Sequence, residues 1–251
     1  MHRFYLSPPQ CLNPQLVLTG REAHHARHVL RLRQGERVIV LDGAGSELLC
    51  EAGEPAPGIV RLSVMQKSFS QPLPYRITLL QAIPRGKIIE SIIQKATELG
   101  AVRIVPLLSE RVATQLDGKS AAAKIEKWRL IAVEAIKQCG SAWLPQVETP
   151  LTSKEFLSRG EQFELPLIGS LQNDGHHPRE YFQTFYAERR RLPQSVCVWV
   201  GPEGDFTPAE MGAIKSAGAL PITLGRLVLR SETAAVYCLS VLNYELQSEY
   251  A

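Results

Sequence analysis

Cysteine is scarce in this chain of 251 residues, and what there is sits badly for cysteine chemistry. The five thiols, Cys11, Cys50, Cys139, Cys197 and Cys238, are odd in number, far apart and never in a C-x-x-C pair. Neither a disulfide framework nor a zinc site follows from them, and a reducing cytoplasm is the expected setting. No apolar run approaches the roughly 20 residues that a membrane-spanning helix needs. The opening residues, MHRFYLSPPQ, carry no apolar stretch of the export-signal kind. Also missing are G-x-G-x-x-G, the phosphate-loop lysine, G-x-S-x-G and H-E-x-x-H, which counts against dinucleotide, nucleoside-triphosphate, α/β-hydrolase and zincin chemistry. His24, His25 and His28 cluster, but no acidic or cysteine partner lies within sequence reach, so no metal is expected. There is no internal repeat and no low-complexity tract.

What remains has an ordinary globular composition, 45% hydrophobic and 21% charged with a net charge of +3. The charge is uneven. Residues 1–40 hold Arg3, Arg21, Arg27, Arg31, Arg33 and Arg37 against only Glu22 and Glu36. Either a solvated arginine-rich face or a polyanion partner accounts for that.

The pattern changes near residue 70. Before it, RFYL, the hairpin ERVIVLDGAGSELLCEA turning at Asp42-Gly43, and GIVRLSVMQ read as strands, with one short helix in GREAHHARHVLRLR. This is a small β-rich unit, expected to be a barrel over 1–70. The segment KSFSQPLPY, interrupted by Pro72 and Pro74, is the expected boundary. From residue 75 to 251, apolar strands alternate with helices, which predicts an α/β fold whose parallel sheet is covered by helices on both faces.

In such sheets ligands bind beyond the carboxyl ends of the strands, so the loops after Leu171, Val200 and Leu224 are the candidates. In the second loop, GPEGDFTP, Thr207 and Glu210 make a capping box and Pro208 suits the first helical position, which explains them structurally. Gly201 and Gly204 are expected to supply positive φ or room for a ligand. Glu203 between them has no evident structural duty, and its charge would repel phosphate. A neutral or cationic ligand fits better. The third loop, GRLVLRSET, leads into a long helix that we expect Ser231 to cap, with Glu232 in its first turn. Arg230 at the positive end of that helix is an electrostatic misfit unless an anion lies nearby. On the helix GKIIESIIQKATELG, Ile88, Ile89, Ile92, Ile93, Ala96 and Leu99 form the buried stripe. Arg85, Lys87, Lys95 and Glu98 fall outside it, as exposed salt bridges or as a surface for RNA phosphates.

The segments VGPEGDFTPAE and LGRLVLRSETAA, with PRGKIIESIIQKATELG, PLLSERV and HVLRL before them, resemble along nearly the whole chain the RsmE family of small-subunit (16S) ribosomal RNA uracil-N3 methyltransferases, in the SPOUT superfamily. The resemblance implies an N-terminal PUA-like β-barrel that helps hold RNA and a C-terminal α/β domain ending in a trefoil knot. It implies a homodimer acting on the assembled small subunit, with S-adenosylmethionine in the knot, no metal, and an RNA site shared between subunits. The cofactor residues would be Leu171, Gly201, Pro202, Glu203, Gly204, Leu224, Gly225, Leu227, Val228, Leu229, Ser231 and Thr233. Arg230 would stabilise a developing uracil anion, with Glu232 or Glu203 orienting the base or taking its proton. Arg3, His25, Arg31, Arg33, Arg85 and Arg111 would contact RNA. Ser141 and Ala142 depart from the pattern, since a basic residue is expected there. A ribose 2′-O-methyltransferase of the same fold, a non-catalytic ribosome assembly factor and, more remotely, a nicotinamide dehydrogenase stay open.

Overall fold

A computed structural model describes residues 1–54, 56–111, 118–172 and 174–247. They fall into two compact units, one of Met1–Pro72 with Val133–Leu144 and the other of Leu73–Ala132 with Pro145–Ala251.

The first unit is a five-stranded sheet curled as a half-barrel, built from β1 (His2–Tyr5), β2 (Gln15–Leu18), β3 (Arg37–Leu41), β4 (Ser46–Ala52) and β5 (Val60–Phe69) in the order β1-β3-β4-β5-β2. Strand β4 alternates buried and half-buried residues throughout, the period of a one-sided sheet. Its inward Leu48, Cys50 and Ala52, with Phe4, Leu16, Leu18, Val38, Val40 and Leu62, form the core. Each buried Phe, Leu or Val among them contributes about 1.5–3 kcal/mol by leaving water. The hairpin turns at Asp42, whose Oδ1 accepts from the amides of Ala44 and Ser46, both at 2.8 Å. The expected short helix is two elements, α1 (Gly20–His24) and a π-helical turn over His25–Val29, ended by Arg31 in the left-handed region at φ 53°.

Residues 133–144 belong to this unit through specific polar contacts. Lys137, only 7% exposed, pairs with Glu22 at 2.8 Å and Glu134 at 3.2 Å. Arg3 donates to the carbonyls of Lys137 and Gln138, both at 3.3 Å. The Ser141 hydroxyl donates to the Trp143 carbonyl, and the Ala142 carbonyl accepts from the Gly45 amide. These two residues thus serve the packing of the segment.

In the second unit β6 (Arg76–Ala82), α2 (Ile88–Glu98), β7 (Arg103–Leu108), the long α3 (Gly118–Cys139, whose last turns lie in the first unit), β8 (Gln146–Val147) and β9 (Leu151–Thr152) come first. Then follow α4 (Ser153–Ser158), β10 (Leu165–Gly169), α5 (Pro178–Arg189), β11 (Ser195–Val200), α6 (Pro208–Ser216), β12 (Leu220–Ile222) and α7 (Ser231–Gln247). The strand order is β12-β10-β11-β6-β7-β8, with β9 also on β7, and every pairing is parallel. Strands β6 and β11 are buried along nearly their whole length, as central strands covered on both faces must be. On one face Trp199, Leu80, Val105 and Ile168 pack with Phe156 of α4 and Met211 and Ile214 of α6. Helices α2 and α7 pack against each other, joined by the Asn243 amide on the Leu99 carbonyl at 3.0 Å.

One crossing matters for function. Strand β12 lies at the sheet edge beyond β10, yet Ser231, which starts α7, bonds to Gly201 after β11 and to Gln81 in β6. Residues 223–230 therefore run across the carboxyl ends of β10 and β11. No helix among the described residues is long and apolar enough to cross a membrane.

Candidate functional site

The crossing segment roofs a cavity of about 450 Å³ at the strand ends, within the roughly 300–1,000 Å³ of small-molecule sites. Three walls follow from three strands: residues 169–172 at the end of β10, 200–203 and 205 at the end of β11, and 223–229 after β12. Ser231, Ala234 and Cys238 of α7 close the floor. The expected cofactor residues Leu171, Gly201, Pro202, Glu203, Leu224, Gly225, Leu227, Val228, Leu229 and Ser231 line this space. Gly204 and Thr233 do not, nor do Arg230 and Glu232, which flank Ser231 along the chain. Sequence reasoning missed Ser170, Asp205, Arg226 and Cys238 in the lining; the GSLQ stretch after a strand was their best available signal for the first of these.

The loop after β11 works differently from its sequence reading. Positive φ falls on Asp205 (61°), not on either glycine. A short polar residue tolerates that region, and the Asp205 carboxylate accepts from the next amide, of Phe206, at 2.8 Å. Gly201 is needed for another reason. A Cβ there would lie 2.9 Å from Asp205 Oδ1 and 3.3 Å from its Cα. Glu203 does have a structural duty: its Oε1 accepts from the Arg85 amide at 3.1 Å, tying the loop after β6 to the loop after β11. On the other side the Arg111 guanidinium donates to the Gly204 carbonyl. Arg85 and Arg111, both exposed, thus border this loop.

The capping box is as expected: Thr207 Oγ1 accepts from the Glu210 amide and Glu210 Oε2 from the Thr207 amide, at 3.2 and 3.0 Å. Glu210, 6% exposed, also gathers Ser109, the Glu110 amide and Ser153 at 3.3–3.4 Å. Ser231 does not cap α7. Arg230 holds the capping position, its carbonyl accepting from the Ala234 amide at 2.8 Å, while the Ser231 hydroxyl donates to the Gly201 carbonyl at 2.8 Å. No side-chain hydrogen bond or ion pair engages Arg230 or Glu232 among the described residues. The lining thiol Cys238 is pushed up to about 12 by burial, so it stays protonated and is no nucleophile.

The first wall, GSLQNDGHHP, is braced by Asp174, which accepts from Ser170 at 3.1 Å and pairs with Lys215. Gly175 lies so close to the backbone of Ile222 and Thr223 that a Cβ would come within 2.8 Å of the Thr223 nitrogen. In the first unit, Arg31 and Arg33 are exposed, His25 is half-buried against Phe4, and Arg3 is engaged with helix carbonyls. No group of three or more His, Cys, Asp or Glu able to hold a metal occurs among the described residues.

A parallel α/β sheet with a ligand cavity roofed by its last crossing, in a chain that also carries a curled β unit, is the architecture of an RNA methyltransferase. The RNA methyltransferase domain family matches residues 71–243, and the RNA methyltransferase PUA domain family matches residues 18–52. Relatives named ribosomal RNA small subunit methyltransferase E, from Synechocystis and Bacillus subtilis, are 32% and 30% identical. These alignments cover 98% and 93% of this chain and 78% and 91% of the relatives. A Neisseria gonorrhoeae structure of that name, bound to S-adenosylmethionine, is 27% identical with a TM-score of 0.84 over 97% of both chains. A Legionella pneumophila structure described as a methyltransferase with bound S-adenosylmethionine reaches 30% and 0.86 over 96% of both. The chain belongs to the ribosomal RNA small subunit methyltransferase E family.

Proposed function

We propose that this protein methylates N3 of a specific uridine in small-subunit (16S) ribosomal RNA, using S-adenosylmethionine. The cavity at the strand ends carries this reading, because its chemistry suits that cofactor. Apolar Leu171, Leu227, Val228 and Leu229 would flank the adenine. Glu203 and Asp205 offer negative charge to the sulfonium and ammonium groups, and Arg226 offers positive charge to the carboxylate. A phosphate ligand would meet two carboxylates instead.

When bound, S-adenosylmethionine supplies an electrophilic methyl group. The uracil N3 is a poor nucleophile until its proton leaves. Arg230 stabilises the anion that forms over the N3 imide, acting where charge develops. Glu232 orients the base or accepts the N3 proton; Glu203, already holding the Arg85 amide, is the less available carboxylate. Both Arg230 and Glu232 stand outside the cofactor lining, as groups that act on the acceptor should.

The first unit would hold RNA through Arg31, Arg33 and His25, with Arg85 and Arg111 of the second. Arg3 contributes less, since helix carbonyls already take its donors. Phosphate contacts position without specifying sequence, so affinity for small subunits should fall by about tenfold or more between low and physiological salt. A salt-independent affinity would remove this role. We further propose a knotted crossing at 223–230, a homodimer sharing the RNA site and a cytoplasmic location.

The deciding experiment supplies labelled S-adenosylmethionine and unmodified small subunits, then maps the methyl group. N3 of a uridine is expected; a ribose 2′-oxygen would overturn the reading, as would no transfer at all. A Gly201→Ala variant should bind S-adenosylmethionine about tenfold more weakly, because its methyl group displaces Asp205. Calorimetry showing unchanged affinity would refute that account of the loop.

A further inference from the structure

We propose that Gln81 is a positioning residue for methyl transfer: through Ser231 it sets the Gly201 carbonyl and the first turn of α7. The inference rests on the cavity being the S-adenosylmethionine site. Gln81 does not itself line that cavity and reaches it only through Ser231, which does. It is a long polar side chain near the carboxyl end of the central strand β6, paired on one side with Val200 and on the other with Pro106, and it is 0% exposed.

Its amide nitrogen donates twice, to the Ala82 carbonyl and to Ser231 Oγ, both at 2.9 Å. Ser231 Oγ in turn donates to the Gly201 carbonyl at 2.8 Å. The direction of this relay is dictated by chemistry. An amide nitrogen has only protons to give, so the serine oxygen accepts from it, and the single serine proton is left for Gly201. Gln81 thereby holds together the loop after β11, which lines the cavity, and the residue next to Arg230. Its Oε1 has no hydrogen-bond partner among the described residues. A buried amide with an unmatched acceptor is unfavourable for folding, and stability alone would place an apolar side chain here.

The test compares the full-length wild type with Q81M, S231A, the Q81M/S231A double variant and Q81E. It measures S-adenosylmethionine affinity by calorimetry, single-turnover methylation and the thermal midpoint. Q81M should keep a midpoint within a few degrees of wild type and bind the cofactor about tenfold more weakly, the effect of one buried hydrogen bond. S231A should lose a similar amount, and the double variant no more than the worse single, because both cut the same relay. In Q81E the ionised carboxylate draws the serine proton away from Gly201. Burial raises such a carboxyl, so lowering the pH restores a donor, and the ratio of Q81E to wild-type affinity should rise as pH falls.

Wild-type binding and turnover in Q81M would overturn the proposal, as would multiplicative losses in the double variant or a Q81E ratio flat with pH. If Q81M fails to fold, the Q81E profile decides. A wild-type protein that does not bind S-adenosylmethionine would sink the cavity assignment itself, and the relay with it.

Discussion

Replacing Arg230 by alanine should lower the methylation rate by about a hundredfold to a thousandfold, the scale seen when a group aimed at developing charge is removed. Cofactor affinity should change little. Arg230 is exposed, lies outside the cavity lining and makes no side-chain hydrogen bond or ion pair among the described residues, so the variant should fold as well as the parent. The backbone cap it provides to α7 through its carbonyl survives any side-chain change. An arginine left unpaired at the positive end of a helix is disfavoured by the helix dipole, which fits a side chain whose counter-charge arrives with the substrate. Single-turnover kinetics beside calorimetry check this. A normal rate with normal cofactor binding would exclude Arg230 from the chemistry.

Glu210→Ala should give the largest loss of stability, about 3 kcal/mol, or a midpoint lower by about 6–12 °C for a unit of this size. The glutamate is buried and receives hydrogen bonds from the Thr207 and Glu110 amides and from the hydroxyls of Ser109 and Ser153. Removing it leaves those donors facing an apolar methyl group. It also frees the loop after β7, which carries Arg111 to the Gly204 carbonyl. Glu210→Gln, which keeps an acceptor but turns two protons toward donors, should fall between. Calorimetric unfolding is the measurement, and a midpoint within a degree of wild type for the alanine variant would refute the assignment.

Glu210 shows how legible the chain was. Its spacing from Thr207 announced a capping box, and the box is there. The spacing said nothing of Ser109, Glu110 or Ser153, because those partners arrive by the folding of strands far away in sequence. The loop after β11 teaches the same point. A Gly-Pro-Glu-Gly run marks a tight turn, but which residue takes positive φ depends on the hydrogen bonds that close it, and these put the strain on Asp205. Glu203 looked free of structural work until its neighbour in space, the Arg85 amide, was known. Ser231 was read as a cap because serine before a helix commonly is one; packing against β11 and β6 gave its hydroxyl another partner.

The alternation of apolar strands with helices, the hairpin at Asp42, the Ile89, Ile92, Ile93 and Ala96 part of the α2 stripe (Ile88 and Leu99 are only half-buried, and Thr97 is buried with it) and the three ligand loops were determined by the sequence alone. They depend on periodicity and on local backbone chemistry, which neighbouring residues carry in full. The order of strands in the sheet, the passage of residues 223–230 across β10 and β11, and the relay from Gln81 to Gly201 were decided only by the tertiary structure. Each joins groups distant in sequence, and no local pattern records which buried donor will meet which acceptor once the chain has closed over itself.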